Sequence, residues 1–233
     1  MRLSVIAHPV VRHAPLHRVL VPAARLRNLW VRPPEPIVGL ATVTGSRADL
    51  LRLGALVRLA ATSRHSALFV PARDNVPGGE RWRMGCAGPV DLLVVRRDVG
   101  LRPSGWPEVR RALRRSTARP GRFTTPPART DEVWREWEWT GSHRITLAEH
   151  AATLVVSSTS RSLLRLGDLF TEAGELVAAD REVHRHGHAH LTGLRRVFAE
   201  PDVALDVYGR DPIFHKRRWA RAASACASTS SAA

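Results

Sequence analysis

One stretch in the first half of the chain constrains the fold most, because three short structural patterns follow one another in it. Residues 37–44 are rich in β-branched side chains and predict a strand, while residues 47–61 are apolar nearly all round and predict a buried helix. Ser46 and Asp49 have the spacing of a capping box just before that helix. Residues 67–71 predict the returning strand, and a strand, a helix and a strand over about 35 residues have the length of a βαβ unit.

The remaining predicted elements of the first half are shorter. Residues 3–7 predict an initial strand, and residues 91–96 predict a buried one. Residues 104–115 predict a helix, because Pro107 suits its first turn and four arginines crowd its last turn. Residues 16–30 have apolar side chains at helical spacing and predict a further helix that a proline breaks.

The second half of the sequence predicts a small α+β arrangement. Two short alternating segments, residues 144–149 and 153–157, indicate a hairpin. Residues 161–178 have one apolar stripe with charged residues opposite, which predicts the best-defined helix of the chain. Residues 186–191 and 203–207 predict two further strands, so the order ββαβ(β) places one helix on a sheet.

Composition indicates where the two halves separate. Residues 116–131 are rich in proline, threonine and arginine, and they predict a linker between a basic α/β domain at residues 1–115 and a neutral ββαβ domain at residues 132–215. Residues 216–233 are rich in alanine and serine without an apolar period, and they predict a disordered tail. We therefore expect a mixed α/β fold of two small αβ layers joined by the Pro-rich linker.

The charge of the chain is distributed unevenly. The net charge is +15, and all of it belongs to residues 1–125, which contain 22 arginines and 7 acidic residues, whereas residues 126–233 are neutral. Such an asymmetry predicts a surface for a polyanion. The codon usage of a GC-rich bacterial genome is the alternative explanation, since Lys216 is the only lysine. Codon usage accounts for arginine in place of lysine, but not for the scarcity of acidic residues in the first half.

The strongest candidate for a polyanion surface is a ridge of arginines on and after the helix predicted at residues 104–115. Its members are Arg110, Arg111, Arg114, Arg115, Arg119 and Arg122. A planar guanidinium group bonds two phosphate oxygens at once, so the ridge predicts contacts to DNA or RNA that carry no sequence information. Trp106 flanks the ridge and is a candidate for stacking on unpaired bases. The alternative is a solvated helix face with Trp106 anchored in the core.

Four histidines at a spacing of two form the second candidate site: His184, His186, His188 and His190. In an extended strand this spacing places all four on one face, where neighbouring imidazoles can share Zn²⁺ or another divalent transition metal. His143, His150 or Glu182 would supply the further ligands. The alternative is a surface strand whose histidines bind no metal.

A run of tryptophans is the third candidate. Trp134, Trp137 and Trp139 fall within six residues, directly after the predicted linker. They would line a groove for a protein partner, as in an immunity-type module, or they would pack the two halves of the chain together.

Several classes of site are absent from the sequence. It contains no P-loop, no dinucleotide-binding glycine motif, no nucleophile elbow and no H-E-x-x-H motif. Cys86 and Cys226 lie far apart without a CxxC partner, which fits a reducing cytoplasm, and no apolar run approaches the roughly 18 residues of a membrane span. The sequence therefore favours a non-enzymatic accessory or regulatory protein that contacts nucleic acid. A metal-binding enzyme or sensor and a protein-interaction module remain the alternatives.

Overall fold

The computed structural model describes residues 2–13, 15–34, 39–76, 88–129, 144–179, 189–191 and 204–209. Within these ranges the chain forms three α-helices and eleven strands, and the strands are arranged in two sheets. This content confirms the predicted mixed α/β class. The strands are β1 (Arg2–His13), β2 (Leu16–Pro22), β3 (Trp30–Arg32), β4 (Leu40–Gly45), β5 (Ser66–Val70), β6 (Asp91–Arg96), β7 (Arg119–Thr124), β8 (Thr146–Glu149), β9 (Thr153–Ser158), β10 (Ala189–Leu191) and β11 (Ala204–Gly209). The helices are α1 (Arg47–Thr62), α2 (Trp106–Leu113) and α3 (Ser160–Ala179).

The larger sheet has seven strands in the order β7-β1-β2-β5-β6-β9-β8. Strands β2 and β5 run parallel, as do β6 and β9, and the other neighbours are antiparallel. The central strands β5 and β6 are buried along nearly their whole length, which explains why their sequences are continuously apolar and do not alternate. The predicted hairpin is confirmed as the antiparallel pair β8 and β9.

The smaller sheet has the order β10-β11-β4-β3, with β11 and β4 parallel. Helices α1 and α3 pack against strands of both sheets, so that one large apolar core contains side chains from both helices and both sheets. Helix α1 begins at the predicted cap, where the Ser46 hydroxyl accepts a hydrogen bond from the Asp49 backbone N–H at 3.3 Å. The Asp49 carboxylate accepts a second bond, from the Asn28 backbone N–H at 2.8 Å, and so ties the segment before β3 to this helix.

Helices α1 and α3 run antiparallel and approach each other closely at two glycines. A Cβ atom added at Gly54 would lie 2.5 Å from the carbonyl oxygen of Gly167, which is shorter than the contacts that Cβ atoms make in proteins. One turn further along α1, Arg58 Nη1 donates to Asp168 Oδ1 at 3.2 Å and to Thr171 Oγ1 at 2.7 Å. Burial lowers the pKa of Arg58, and the Asp168 carboxylate opposes that shift. The glycines and the buried ion pair together fix the distance and register of the two helices.

Helix α2 covers the opposite face of the larger sheet. Its buried residues Trp106, Val109 and Leu113 form a second apolar core with residues of the central strands, including Val19 and Phe69. The larger sheet is therefore covered by helices on both faces. None of the described helices is long and apolar enough to cross a lipid bilayer.

Strands β4 and β5, on either side of α1, do not form the βαβ unit that the sequence predicts, because they lie in different sheets. The reason is visible in the helix between them. Eleven of the sixteen residues of α1 are buried, because this helix packs against α3 and against strands of both sheets. The chain therefore leaves one sheet before α1 and enters the other after it.

The helix predicted at residues 16–30 is wrong, because the chain forms β2 and the start of β3 there. Val19 belongs to the core beneath α2, whereas Leu20 belongs to the core beneath α1 and α3. A strand that is buried on both faces has adjacent apolar residues, and these imitate the spacing of a helix.

The predicted linker contains strand β7, which pairs with β1 at the edge of the larger sheet. Strands from both sides of residues 116–131 contribute to each sheet, since β8 and β9 join the larger one and β10 and β11 the smaller one. The division into domains at residues 1–115 and 132–215 stays a prediction, but the two parts share both sheets. The tail predicted at residues 216–233 lies outside the described residues.

Candidate nucleic-acid interface

The local sequence of α2 places its arginines on the surface. A 3₁₀ turn (Pro103–Gly105) leads into the helix, and Pro107 occupies the first turn, where its missing N–H costs no hydrogen bond. Trp106, Val109 and Leu113 are three or four positions apart and face the sheet. The arginines that lie between and after them therefore point to the side or away from the sheet.

Trp106 is an anchor for α2 and not part of the surface. Its side chain is fully buried, and its Nε1 donates a hydrogen bond to Thr153 Oγ1 at 3.1 Å. Its ring centroid lies 5.0 Å from that of Phe69 in a tilted arrangement. The structure thus places Trp106 in the core, where no base can stack on it.

Arg110 is held in place by the carboxylate of Asp91. Its Nη2 atom lies 3.0 Å from Asp91 Oδ2, and its guanidinium carbon lies 5.7 Å from the centroid of the Phe69 ring. The other oxygen of Asp91 accepts hydrogen bonds at 3.0 and 3.1 Å from two backbone N–H groups in the segment after β5. Arg110 therefore has a fixed position, and its charge is balanced by Asp91.

Four members of the predicted ridge are exposed on the side of the larger sheet that α2 covers: Arg111, Arg114, Arg115 and Arg122. Within the described part of the chain, none of their side chains forms a hydrogen bond or an ion pair. Arg122 pairs with Ser4 across β7 and β1, and Arg2 lies on the same face of β1 two residues away. We call Arg2, Arg111, Arg114, Arg115 and Arg122 the cationic surface.

Arg119 is separated from the cationic surface by the alternation of β7. Phe123 of the same strand packs against the core beneath α1 and α3, and Arg119 lies four residues away on that face. It is exposed there, but on the other side of the sheet from Arg122. The structure thus places four of the six predicted arginines on one side of the sheet, Arg110 in an ion pair, and Arg119 on the other side.

A cleft of about 340 Å³ opens between α2 and the larger sheet, beside the cationic surface. Its apolar lining includes Val21, Phe69 and Leu113, and its cations are Arg73, Arg110 and Arg114. Arg114 therefore belongs both to the cationic surface and to the rim of the cleft.

The free positive charge of the cleft comes from Arg73 and Arg114. His8 also lines it, with Nδ1 2.8 Å from the Ser116 hydroxyl, but burial lowers the pKa of His8 and keeps it neutral at pH 7. Asp74 Oδ1 lies 3.8 Å from Arg73 Nε. Because the side chains of Arg73 and Asp74 are 42% and 78% exposed, water screens this pair and Asp74 neutralises the arginine only weakly.

No sequence pattern singles out Asp91, Arg73, His8 or Arg2 as members of a site. A signal for Asp91 exists, since it is an acidic residue at the start of a continuously apolar strand and such a residue needs a partner when buried. The other three come from separate segments that only the tertiary structure brings to one side of the sheet, so no spacing along the chain connects them.

The other two candidate sites fall mostly outside the described residues. This applies to the three tryptophans at residues 134–139 and to His143, Glu182, His184, His186 and His188. His190 is on β10, opposite Tyr208 of β11, and His150 is in the turn between β8 and β9. In the parts of the chain that the structure describes, no group of three or more histidine, cysteine or acidic residues is placed to hold a metal ion. The metal site and the tryptophan groove stay predictions.

Comparison with known proteins finds no family model, no curated protein and no solved structure that matches this chain. The interpretation of the surface therefore rests on its own chemistry.

Proposed function

We propose that this is a non-enzymatic accessory or regulatory protein that contacts DNA or RNA through the cationic surface. The observation that carries the proposal is that Arg111, Arg114, Arg115 and Arg122 are exposed on one side of the sheet and that, in the described part of the chain, none of their side chains forms an ion pair. The cysteine pattern expected of a reducing compartment fits a role in the cytoplasm.

Other arginines of the same protein form ion pairs with neighbouring acidic residues. Arg47 Nη2 lies 3.1 Å from Glu175 Oε2 between α1 and α3, and Arg165 Nη1 lies 2.5 Å from Glu172 Oε1 along α3. Nearby acids neutralise these cations, whereas the side chains of Arg111, Arg114, Arg115 and Arg122 form no ion pair in the described part of the chain, and like charges on one side of a sheet repel one another. Such repulsion lowers the stability of the folded state, and a bound polyanion removes it.

The spacing of the cations supports binding to a chain of phosphates. Arg111 lies in the last turn of α2, and Arg114 and Arg115 directly follow its last residue, so the three cations lie close together along the chain. Arg2 and Arg122 lie diagonally across two adjacent strands. Each guanidinium fork can bind one phosphate in a bidentate manner, and such contacts supply affinity that does not depend on base sequence.

A charge-matched comparison tests the proposal. The test variant carries Arg111→Gln, Arg115→Gln and Arg122→Gln, and the control carries Arg27→Gln, Arg52→Gln and Arg64→Gln, three exposed arginines outside the cationic surface. Both variants lose three positive charges. Fluorescence anisotropy with a labelled random duplex should show at least about a tenfold weaker Kd for the test variant, and a salt slope reduced by about 2.7.

The control variant should bind the same duplex within about threefold of the wild type. Equal weakening by the two variants would show that only net charge matters and would remove the cationic surface as the interface. The absence of binding by the wild type at low salt would reject the proposal altogether.

A further inference from the structure

The cleft beside the cationic surface combines two chemistries that nucleotides also combine. Its apolar lining includes Val21, Phe69 and Leu113, and its exposed cations are Arg73, which has only a solvent-screened pair with Asp74 at 3.8 Å, and Arg114. Its volume of about 340 Å³ is at the lower end of the range for small-ligand pockets. The occupant it fits is therefore small, partly flat or apolar, and anionic at one end.

Arg110 supplies a fixed planar cation within the cleft. It is bound to Asp91 at 3.0 Å, lies over the Phe69 ring, and donates a further hydrogen bond to the Ala151 carbonyl at 3.3 Å. A guanidinium plane that is already immobilised stacks on a nucleobase with little further loss of side-chain entropy. We call Arg110 the stacking platform; Phe69, which is 8% exposed and belongs to the core, supports it.

Arg114 connects this platform to the cationic surface. It lines the cleft and is one helical turn from Arg111, which does not line it. A phosphate bound by Arg114 therefore lies between the backbone contacts of the surface and the platform. A base attached to that phosphate can enter the cleft only when it is unpaired, since the bases of a duplex are stacked inside it.

From these observations we infer that the cleft receives one unpaired nucleotide of a bound single strand. Its phosphate contacts Arg114 and Arg73, and its base lies against the stacking platform. The inference rests on the proposed function, because the cationic surface holds the rest of the strand. It adds a preference for single-stranded over duplex nucleic acid that phosphate contacts alone do not supply.

The test uses two matched substitutions on the full chain, Arg114→Gln in the cleft and Arg111→Gln outside it. Both residues are exposed, Arg111 on α2 and Arg114 directly after its last residue, so neither change disturbs the core. The probes are labelled oligo(dT) of about 20 nucleotides and a random duplex of equal length, measured by anisotropy. Arg114→Gln should weaken oligo(dT) binding by about tenfold and duplex binding by about threefold, while Arg111→Gln should weaken both by about threefold.

A second variant, Val21→Phe, narrows the floor of the cleft and leaves every charge in place. It should lower the affinity for oligo(dT) several-fold and leave the affinity for the duplex unchanged. Equal effects of the two arginine substitutions on oligo(dT), together with no effect of Val21→Phe, would overturn the inference while salt-dependent duplex binding still supported the proposed function.

Competition with dTMP separates the two possible sources of the nucleotide. If dTMP displaces oligo(dT) from the wild type only weakly, the strand is the ligand, as we infer. If dTMP binds the wild type but oligo(dT) does not, the cleft holds a free nucleotide and the inference is overturned in the form stated. If neither nucleic acid nor dTMP binds, the proposed function and the inference both fail.

Discussion

The Nη2 atom of Arg110 lies 3.0 Å from Oδ2 of Asp91, and this contact joins helix α2 to the central strand β6. The Asp91 side chain is 6% exposed and that of Arg110 is 19% exposed, so the pair is largely shielded from water. Because the same carboxylate also holds the backbone of Ala72 and Arg73, it positions both walls of the cleft. The pair is thus the structural support of the candidate interface and not a part of its free charge.

Substitution of Asp91 by asparagine tests that role. Asp91→Asn keeps an oxygen for the two backbone N–H groups but leaves Arg110 without a counter-charge. We expect the free energy of unfolding to fall by roughly 2–3 kcal/mol, because a largely buried cation then lacks its partner. Urea denaturation measures the change.

The double variant Asp91→Asn/Arg110→Met should recover much of the stability lost in the single variant, since it removes the stranded charge. Arg47→Gln, in the exposed pair with Glu175, is the control and should change stability by less than about 1 kcal/mol. A similarly small loss for Asp91→Asn would contradict the structural role of the pair.

The crossing of α1 and α3 predicts a strong effect at Gly54. A Cβ atom there would lie 2.4 Å from Thr171 Oγ1, so Gly54→Ala forces the helices apart. We expect a net loss of about 1–3 kcal/mol despite the higher helix propensity of alanine. Thermal unfolding of Gly105→Ala provides the control, since a Cβ at Gly105 meets only Leu101, at 3.7 Å, and stability should hardly change.

Because the ion pair of Arg58 and Asp168 is buried, we expect neutralising Asp168 to lower the free energy of unfolding more than neutralising Glu172 on the same helix. Asp168→Asn leaves the Arg58 guanidinium buried without its counter-charge and should cost about 3 kcal/mol or more. Glu172→Gln, which removes the partner of Arg165 nearer the surface, should cost less than about 1 kcal/mol. Equal losses of unfolding free energy in chemical denaturation would show that the ion pair of Arg58 and Asp168 does not stabilise the contact between α1 and α3 more than a surface pair does.

His8 predicts a pH dependence of stability. Burial lowers its pKa in the folded state below the ordinary value of 6.5, so the unfolded chain takes up the proton first as the pH falls. The contribution of His8 to stability is therefore lost as the pH falls from 6.5 toward the folded pKa, and it is complete above 6.5.

The measurement for His8 is the change in Tm between about pH 7.5 and about pH 5.5. The Tm of the wild type should fall further over this window than the Tm of His8→Gln. His17→Gln, at an exposed position of β2, is the control and should behave like the wild type. If the Tm of His8→Gln falls as far as that of the wild type, His8 is not responsible for the pH dependence.

Much of the local structure was predictable from the sequence, because local chemistry determines it. The cap at Ser46, helices α1 and α3 and the hairpin of β8 and β9 agree with the patterns that predicted them. Pairing between strands was not predictable in the same way. Strand β4 pairs with β11, and β5 pairs with β2, across long stretches of sequence, and no local pattern carries that information.

The candidate site was predictable only in part. The exposed arginines Arg111, Arg114 and Arg115 follow from the apolar spacing of α2, which also indicated that Trp106 could be buried. The pairing of Arg110 with Asp91 and the separation of Arg119 from Arg122 depend on tertiary contacts and on the register of β7. The same run of arginines is compatible with free and with paired side chains, and with either face of β7. The sequence alone therefore does not distinguish Arg110 and Arg119 from the other four arginines.

The most direct test of the central claim is the affinity of the wild-type protein for a random DNA duplex at about 50 mM and about 200 mM salt. With about four phosphate contacts from the cationic surface, the affinity should fall by roughly a hundredfold between the two conditions. The absence of binding at the lower salt concentration, or binding that does not change with salt, would contradict the account.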